Sequence, residues 1–139
     1  MAEKTQFELV SPERLLASEA VEMAVIPGAE GDFGALPQHA PFMTALRPGV
    51  IDLYQDGKVV NRIFVGGGFA EVNETSVTVL AEDAVPLADV TADAVAARLR
   101  KAELDLEEAD GEAARKLAQR AIDAAKALQA AAAHKGAAH

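Results

Sequence analysis

The chain has no cysteine and no tryptophan. Without thiols there is no disulfide framework and no cysteine chemistry, and a reducing compartment is compatible with this composition. Basic residues are short as well: 13 Lys and Arg stand against 22 Asp and Glu, for a net charge of −9. That balance argues against nucleic acid, whose binders need a basic face. No apolar run approaches the roughly 18 residues of a spanning helix. Met1–Val10 carries no signal-peptide pattern. The expectation is a soluble chain with no direct membrane insertion, though one able to work beside a membrane.

Proline and aromatic residues are missing from one part of the chain only. All six prolines, the five phenylalanines and the single tyrosine lie before residue 87, with eight of the ten glycines. Beyond about residue 88 the sequence turns to Ala, Leu, Glu, Lys and Arg. With 139 residues, 50% of them hydrophobic, the chain has room for one ordinary domain or a small domain with an appendage. The shift places a boundary between residues 1–86 and residues 87–139. Residues 1–88 carry a charge of −8 and residues 89–139 only −1, so the acidity belongs to the first part.

Up to residue 86 the pattern is one of short strands and turns. Phe7 and Leu9 alternate with Gln6 and Glu8, and Met23 and Val25 alternate with Glu22. Val50–Tyr54 runs into Asp56-Gly57, a two-residue hairpin signal, and Val59–Val65 returns. Val77–Leu80 is a compact β-branched run. Many short strands without intervening helices predict a β-sandwich or barrel. After Pro86 the period changes. Val95, Leu99, Ala102 and Leu106 form one helical stripe, with Thr91 as cap and Asp93 in the first turn. Asp110-Gly111 breaks the pattern. Leu117, Ala121, Ala124 and Leu128, supported by Ile122, form a second stripe. The fold class predicted is β plus α, an N-terminal β-sandwich followed by a C-terminal antiparallel two-helix hairpin. The Ala-rich seam buries little area, so the hairpin is a candidate moving part. The tail from Ala130 to His139 is expected to fray.

Charge divides the helices. Residues 89–108 carry −3 and residues 112–135 carry +3, the latter from Arg115, Lys116, Arg120, Lys126 and Lys135 against two acids. Either the two arms attract each other across solvated faces, or the second helix offers its basic face to an acidic partner when the hairpin opens.

The segment Pro27–Pro41 (PGAEGDFGALPQHAP) holds three glycines, three prolines, two acids and a histidine. It cannot be helix and makes a poor strand interior, so it reads as a fixed loop of the kind that carries function. The chemistry that such a loop might perform is mostly excludable. Gly28, Gly31 and Gly34 lack the Lys-Ser or Lys-Thr pair of a phosphate loop. Gly66-Gly67-Gly68 lacks a nucleophile motif and reads as a bulge or a close backbone approach. His39, His134 and His139 are too scattered for metal-ligand spacing. His39 reads as a turn residue bonded to backbone. Nothing near Glu30 and Asp32 would push their pKa values apart. No catalytic residue, metal ligand or cofactor site is expected.

Pro27-Gly28-x-x-Gly31-Asp32-Phe33-Gly34-x-Leu36-Pro37-x-His39-Ala40-Pro41 resembles the signature of the epsilon subunit of the F-type proton-translocating ATP synthase, the delta subunit of mitochondria. Val65-Gly66-Gly67-Gly68-Phe69-Ala70-Glu71-Val72 and Val77-Thr78-Val79-Leu80-Ala81-Glu82 agree in order. The resemblance spans essentially the whole chain. It implies a β-sandwich followed by two helices, in a non-catalytic rotor subunit of the central stalk. The partners implied are the gamma subunit and the ring of membrane-embedded c subunits, with transient contact to the catalytic head. The site implied is the cytoplasmic face of the bacterial plasma membrane, since no transit peptide precedes Met1. Glu30, Asp32 and His39 become candidate ring contacts, and Arg115, Lys116, Arg120 and Lys126 candidate regulatory contacts of the hairpin, which in many members extends to restrain ATP hydrolysis. Some relatives bind ATP through an acidic residue followed three positions later by arginine. Here Asp89 is followed by Ala92, so weak or no ATP binding is expected. The alternative reading is a nucleotide-sensing regulator that uses the hairpin as an ATP clamp.

Overall fold

A computed structural model describes residues 3–133. Ten strands precede two helices: β1 (Thr5–Val10), β2 (Leu15–Val21), β3 (Met23–Gly28), β4 (Gly31–Ala35), β5 (Phe42–Leu46), β6 (Gly49–Gln55), β7 (Lys58–Val65), β8 (Gly68–Val72), β9 (Ser76–Leu80) and β10 (Ala84–Pro86), then α1 (Ala92–Glu108) and α2 (Glu112–Ala133). The strands form one hydrogen-bonded path, β10-β7-β6-β3-β5-β8-β9-β1-β2, with β4 on β3. A single pairing, Gly28 with Leu46, joins β3 to β5. The path folds there into two layers. Phe7, Leu9, Ile26, Ile51, Leu53, Val72, Val77 and Val79 fill the space between them. The predicted sandwich followed by two helices is therefore the fold observed.

Local signals are obeyed where the chemistry is local. Asp56 and Gly57 both have positive φ, 53° and 73°, as a two-residue hairpin turn with the right twist requires. Thr91 accepts the Ala94 N–H on its hydroxyl at 3.1 Å and starts α1. Gly111, at φ 95°, turns the chain from α1 into α2. In the glycine triplet, a Cβ at Gly68 would lie 2.0 Å from the Leu80 carbonyl oxygen, so the close approach of β8 to β9 needs glycine there.

Three expectations need correction. On β3 the core-facing residues are Ala24 and Ile26, one step out of phase with Met23 and Val25. Pro27–Pro41 is not a loop throughout: its first nine residues close β3 onto β4, pairing Ile26 with Phe33 and Pro27 with Asp32. Proline is tolerated because β3 changes partner there, from β6 at Val25 to β5 at Gly28. The missing N–H falls in the gap between the two ladders. On α2 the buried residues are Ala118, Ile122, Ala125 and Leu128, so Leu117, Ala121 and Ala124 lie beside the helix–helix seam. Of the stripe read from the sequence, Leu128 is buried with Phe64 of β7, Leu87, Val90 and Val95, and Leu117, Ala121 and Ala124 line the groove toward the strands. The apolar face of α2 is wide enough to serve both neighbours. α2 stays helical to Ala133, into the stretch expected to fray. The rest of that stretch, with His134, Lys135 and His139, lies outside the described residues.

Candidate functional site

The Pro27–Pro41 edge is braced at several points. Arg47, just past β5, donates from Nη1 to the Gly28 carbonyl at 2.6 Å, and its Nη2 meets the Asp32 carboxylate. The Arg47 backbone N–H donates to the Pro27 carbonyl at 3.0 Å, and Ala29 N–H to Ala45 O at 2.8 Å. One arginine thus clips both arms of the β3–β4 hairpin to β5. Beyond β4, a turn places Gln38 at φ 69°. Gln38 N–H donates to the Glu74 carbonyl at 2.8 Å, tying the turn to the β8–β9 connection. His39 Nδ1 lies 2.6 Å from the Ala40 carbonyl oxygen. A carbonyl only accepts, so Nδ1 carries the proton. That is the turn role read for His39 from the residues alone. Phe33 and Phe42 pack edge to face at 5.3 Å beneath it.

The structure sets Glu30, Asp32 and His39 apart, along the β3–β4 hairpin and the turn beyond β4, in different states. Glu30 is exposed at the hairpin tip, Asp32 is engaged by Arg47, and His39 is half-buried. Arg115, Lys116, Arg120 and Lys126 are all exposed on α2. They fall within about 140° of arc at roughly 100° per residue. Lys116 pairs with Glu112 one turn earlier at 3.3 Å. Arg120 lines a groove between α2 and the strands. Among the described residues no cluster of three His, Cys, Asp or Glu side chains is placed to hold a metal ion, and no helix is long and apolar enough to cross a membrane.

A second surface was not read from the sequence. The outer face of β5, β8, β9, β1 and β2 carries an apolar row: Ala45 opposite Phe69, Phe69 opposite Leu80, Leu80 opposite Val10, Val10 opposite Leu15. Met43 extends it. Phe69 is 58% exposed, Leu80 50% and Met43 66%. The groove, about 820 Å³, continues the row to Leu117 on α2, itself 64% exposed. Contiguous apolar surface of this kind marks an interaction site. The legible signal was Phe69, an aromatic sharing its strand face with Glu71 while Ala70 and Val72 point inward.

A sandwich with an uncovered apolar face, a braced polar edge and a helical hairpin is built to dock into an assembly. Residues 4–87 match the family model of the β-sandwich domain of the ATP synthase delta/epsilon chain. The ATP synthase epsilon chain of Rhodospirillum rubrum is 58% identical over 131 residues, covering 94% of this chain and 98% of that protein. That of Paramagnetospirillum magneticum is 53% identical with the same coverage, 94% and 98%. Among solved structures, a chain of the Euglena gracilis mitochondrial ATP synthase (OSCP/F1/c-ring, rotational state 1) superposes with a TM-score of 0.74 at 29% identity, covering 94% of this chain and 82% of that one. A chain of the Tetrahymena thermophila mitochondrial ATP synthase central stalk and c-ring shares the fold, with a TM-score of 0.68 at 15% identity and coverage of 94% and 98%. The chain belongs to the delta/epsilon family of ATP synthase, as an epsilon subunit. The resemblance read from the three motifs is the family found.

Proposed function

We propose that this chain is a non-catalytic rotor subunit that links the gamma subunit to the c-ring on the cytoplasmic face of a bacterial plasma membrane, and that its hairpin restrains ATP hydrolysis. The strand part, residues 1–86, carries the docking, and residues 87–139 form the regulatory part. The observation that carries the reading is the pairing of an exposed apolar row with an edge braced by Arg47. The row suits a large, lasting protein interface. The edge, with Glu30 and His39 presented and Asp32 fixed by Arg47, suits contact with the polar loops of a turning ring, because a loose loop would yield before transmitting torque. The basic face of α2, with Arg115, Lys116, Arg120 and Lys126, suits transient contact with an acidic surface of the catalytic head. Position 92, three residues after Asp89, is Ala92 in place of an arginine, so the guanidinium for a phosphate is missing and no nucleotide role is assigned.

The test is gamma binding by the full chain. Phe69→Glu puts a charge in the centre of the row and is expected to weaken gamma capture at least tenfold, since a desolvated unpaired charge costs several kcal/mol. Lys58→Glu, at the β6–β7 turn, is expected to leave it unchanged. Equal capture by both variants would place the gamma interface elsewhere.

A further inference from the structure

Two of the attachments that hold the helices to the strands are well defined among the described residues. One is the apolar cluster of Phe64 with Leu87, Val90, Val95 and Leu128. The other is ionic. Arg98, on α1, donates from Nη1 to Asp83 Oδ2 at 2.7 Å and from Nη2 to Oδ1 at 3.0 Å. Asp83 lies in the connection between β9 and β10, so this two-pronged bond spans strand part and helix. Such a fork has both geometric definition and charge assistance. The hydrogen bond to Asp83 raises the Arg98 pKa above its ordinary value, against the opposing effect of partial burial.

The seat of the carboxylate is shaped by Gly66. Its backbone N–H donates to the Asp83 carbonyl at 2.9 Å, and a Cβ there would come within 2.9 Å of Oδ2 and 3.1 Å of the Asp83 Cβ. Glycine therefore lets the carboxylate lie where Arg98 can grip it. On the other side of the pair, Leu117, Ala121 and Ala124 line the open groove. Both side chains of the pair are 40% exposed, within reach of water and salt.

We propose that the Asp83–Arg98 pair, seated against Gly66, is the latch that sets how much of the time the hairpin lies against the strands. With the pair made, hairpin and sandwich move as one body. With it broken, the groove side loses its ionic tie and swings free, while the Phe64 cluster still holds the helices. This rests on the reading of the hairpin as a moving part, but it is measured on the isolated chain, so a failed latch and a failed role in hydrolysis give separate results.

The chain has no cysteine, so Glu74→Cys and Ala114→Cys supply a clean pair of sites for spin labels on the full chain. The distance between them reports the hairpin's pose. Arg98→Gln, Asp83→Asn and Gly66→Ala are each expected to raise the longer-distance population roughly threefold to tenfold. About 1 M salt, which cuts the screening length to about 3 Å, is expected to do the same to the labelled parent without any change of fold. The swapped variant Asp83→Arg with Arg98→Asp is expected to return toward the parent. Distance distributions unchanged by the single variants and by salt would overturn the latch, and so would a swap as open as the single variants.

Discussion

Gly68 and Gly57 both sit at positive φ, +133° and +73°, yet they tolerate a side chain very differently. A Cβ at Gly57 meets nothing within 4 Å, whereas at Gly68 it would stand 2.0 Å from the Leu80 carbonyl oxygen. Gly57→Ala is expected to cost about 1 kcal/mol, the ordinary strain of that conformation. Gly68→Ala must part β8 from β9 and is expected to cost about 3 kcal/mol or more, read as a fall in the urea midpoint. Equal costs would mean that backbone conformation alone, not strand contact, sets the glycine. At this scale the sequence was legible where one residue's chemistry decides the outcome. The Asp56-Gly57 turn and the Thr91 cap are such cases. Arg47 was invisible for the opposite reason: its partners Gly28 and Asp32 lie 19 and 15 residues away in the chain. Asp83 and Arg98, 15 apart, were hidden likewise.

Elements were harder to read than residues. Pro27 argued for a loop, and the strand that contains it exists only because two other strands leave a gap where its N–H would be. Strands β4, β5, β8 and β10 are hard to read because they are short, and β4 and β8 contain glycine; β2, seven residues long, is hidden because its apolar residues do not alternate with polar ones. Both helices are legible, with the α1 stripe as predicted; on α2, Ile122 and Leu128 are buried, while Leu117, Ala121 and Ala124 lie along the groove. The consequence can be measured. Leu128 is 2% exposed in the Phe64 cluster, so Leu128→Ala is expected to cost about 2–5 kcal/mol of hairpin docking. Amide-exchange protection should fall in α1 and α2 while β1, β8 and β9 keep theirs. Leu117→Ala, on the exposed end of the same stripe, is expected to change the stability of the free chain by no more than about 0.5 kcal/mol. Loss of protection in both parts together after Leu128→Ala would show helices and strands to be one cooperative unit.

At the scale of the whole molecule, cohesion is concentrated in the strands. The sandwich holds most of the buried apolar side chains, and among the described residues the helices attach to it through a smaller cluster and an exposed ion pair, with other contacts beside them. Composition points to a boundary near residue 87, because proline and aromatics, and all but two of the glycines, stop where the alanine-rich helices begin. It did not foretell the apolar row on the outer sheet, which depends on registers across five strands. In the proposed function the strands dock and the hairpin restrains hydrolysis. The most direct test is a synthase assembled with the chain ended after residue 88. The truncated chain is expected to remain bound with gamma and the c-ring, to support coupled ATP synthesis near the parent rate, and to let ATP hydrolysis rise severalfold. Loss of the truncated chain from the complex, or of coupled synthesis with it, would contradict the assignment.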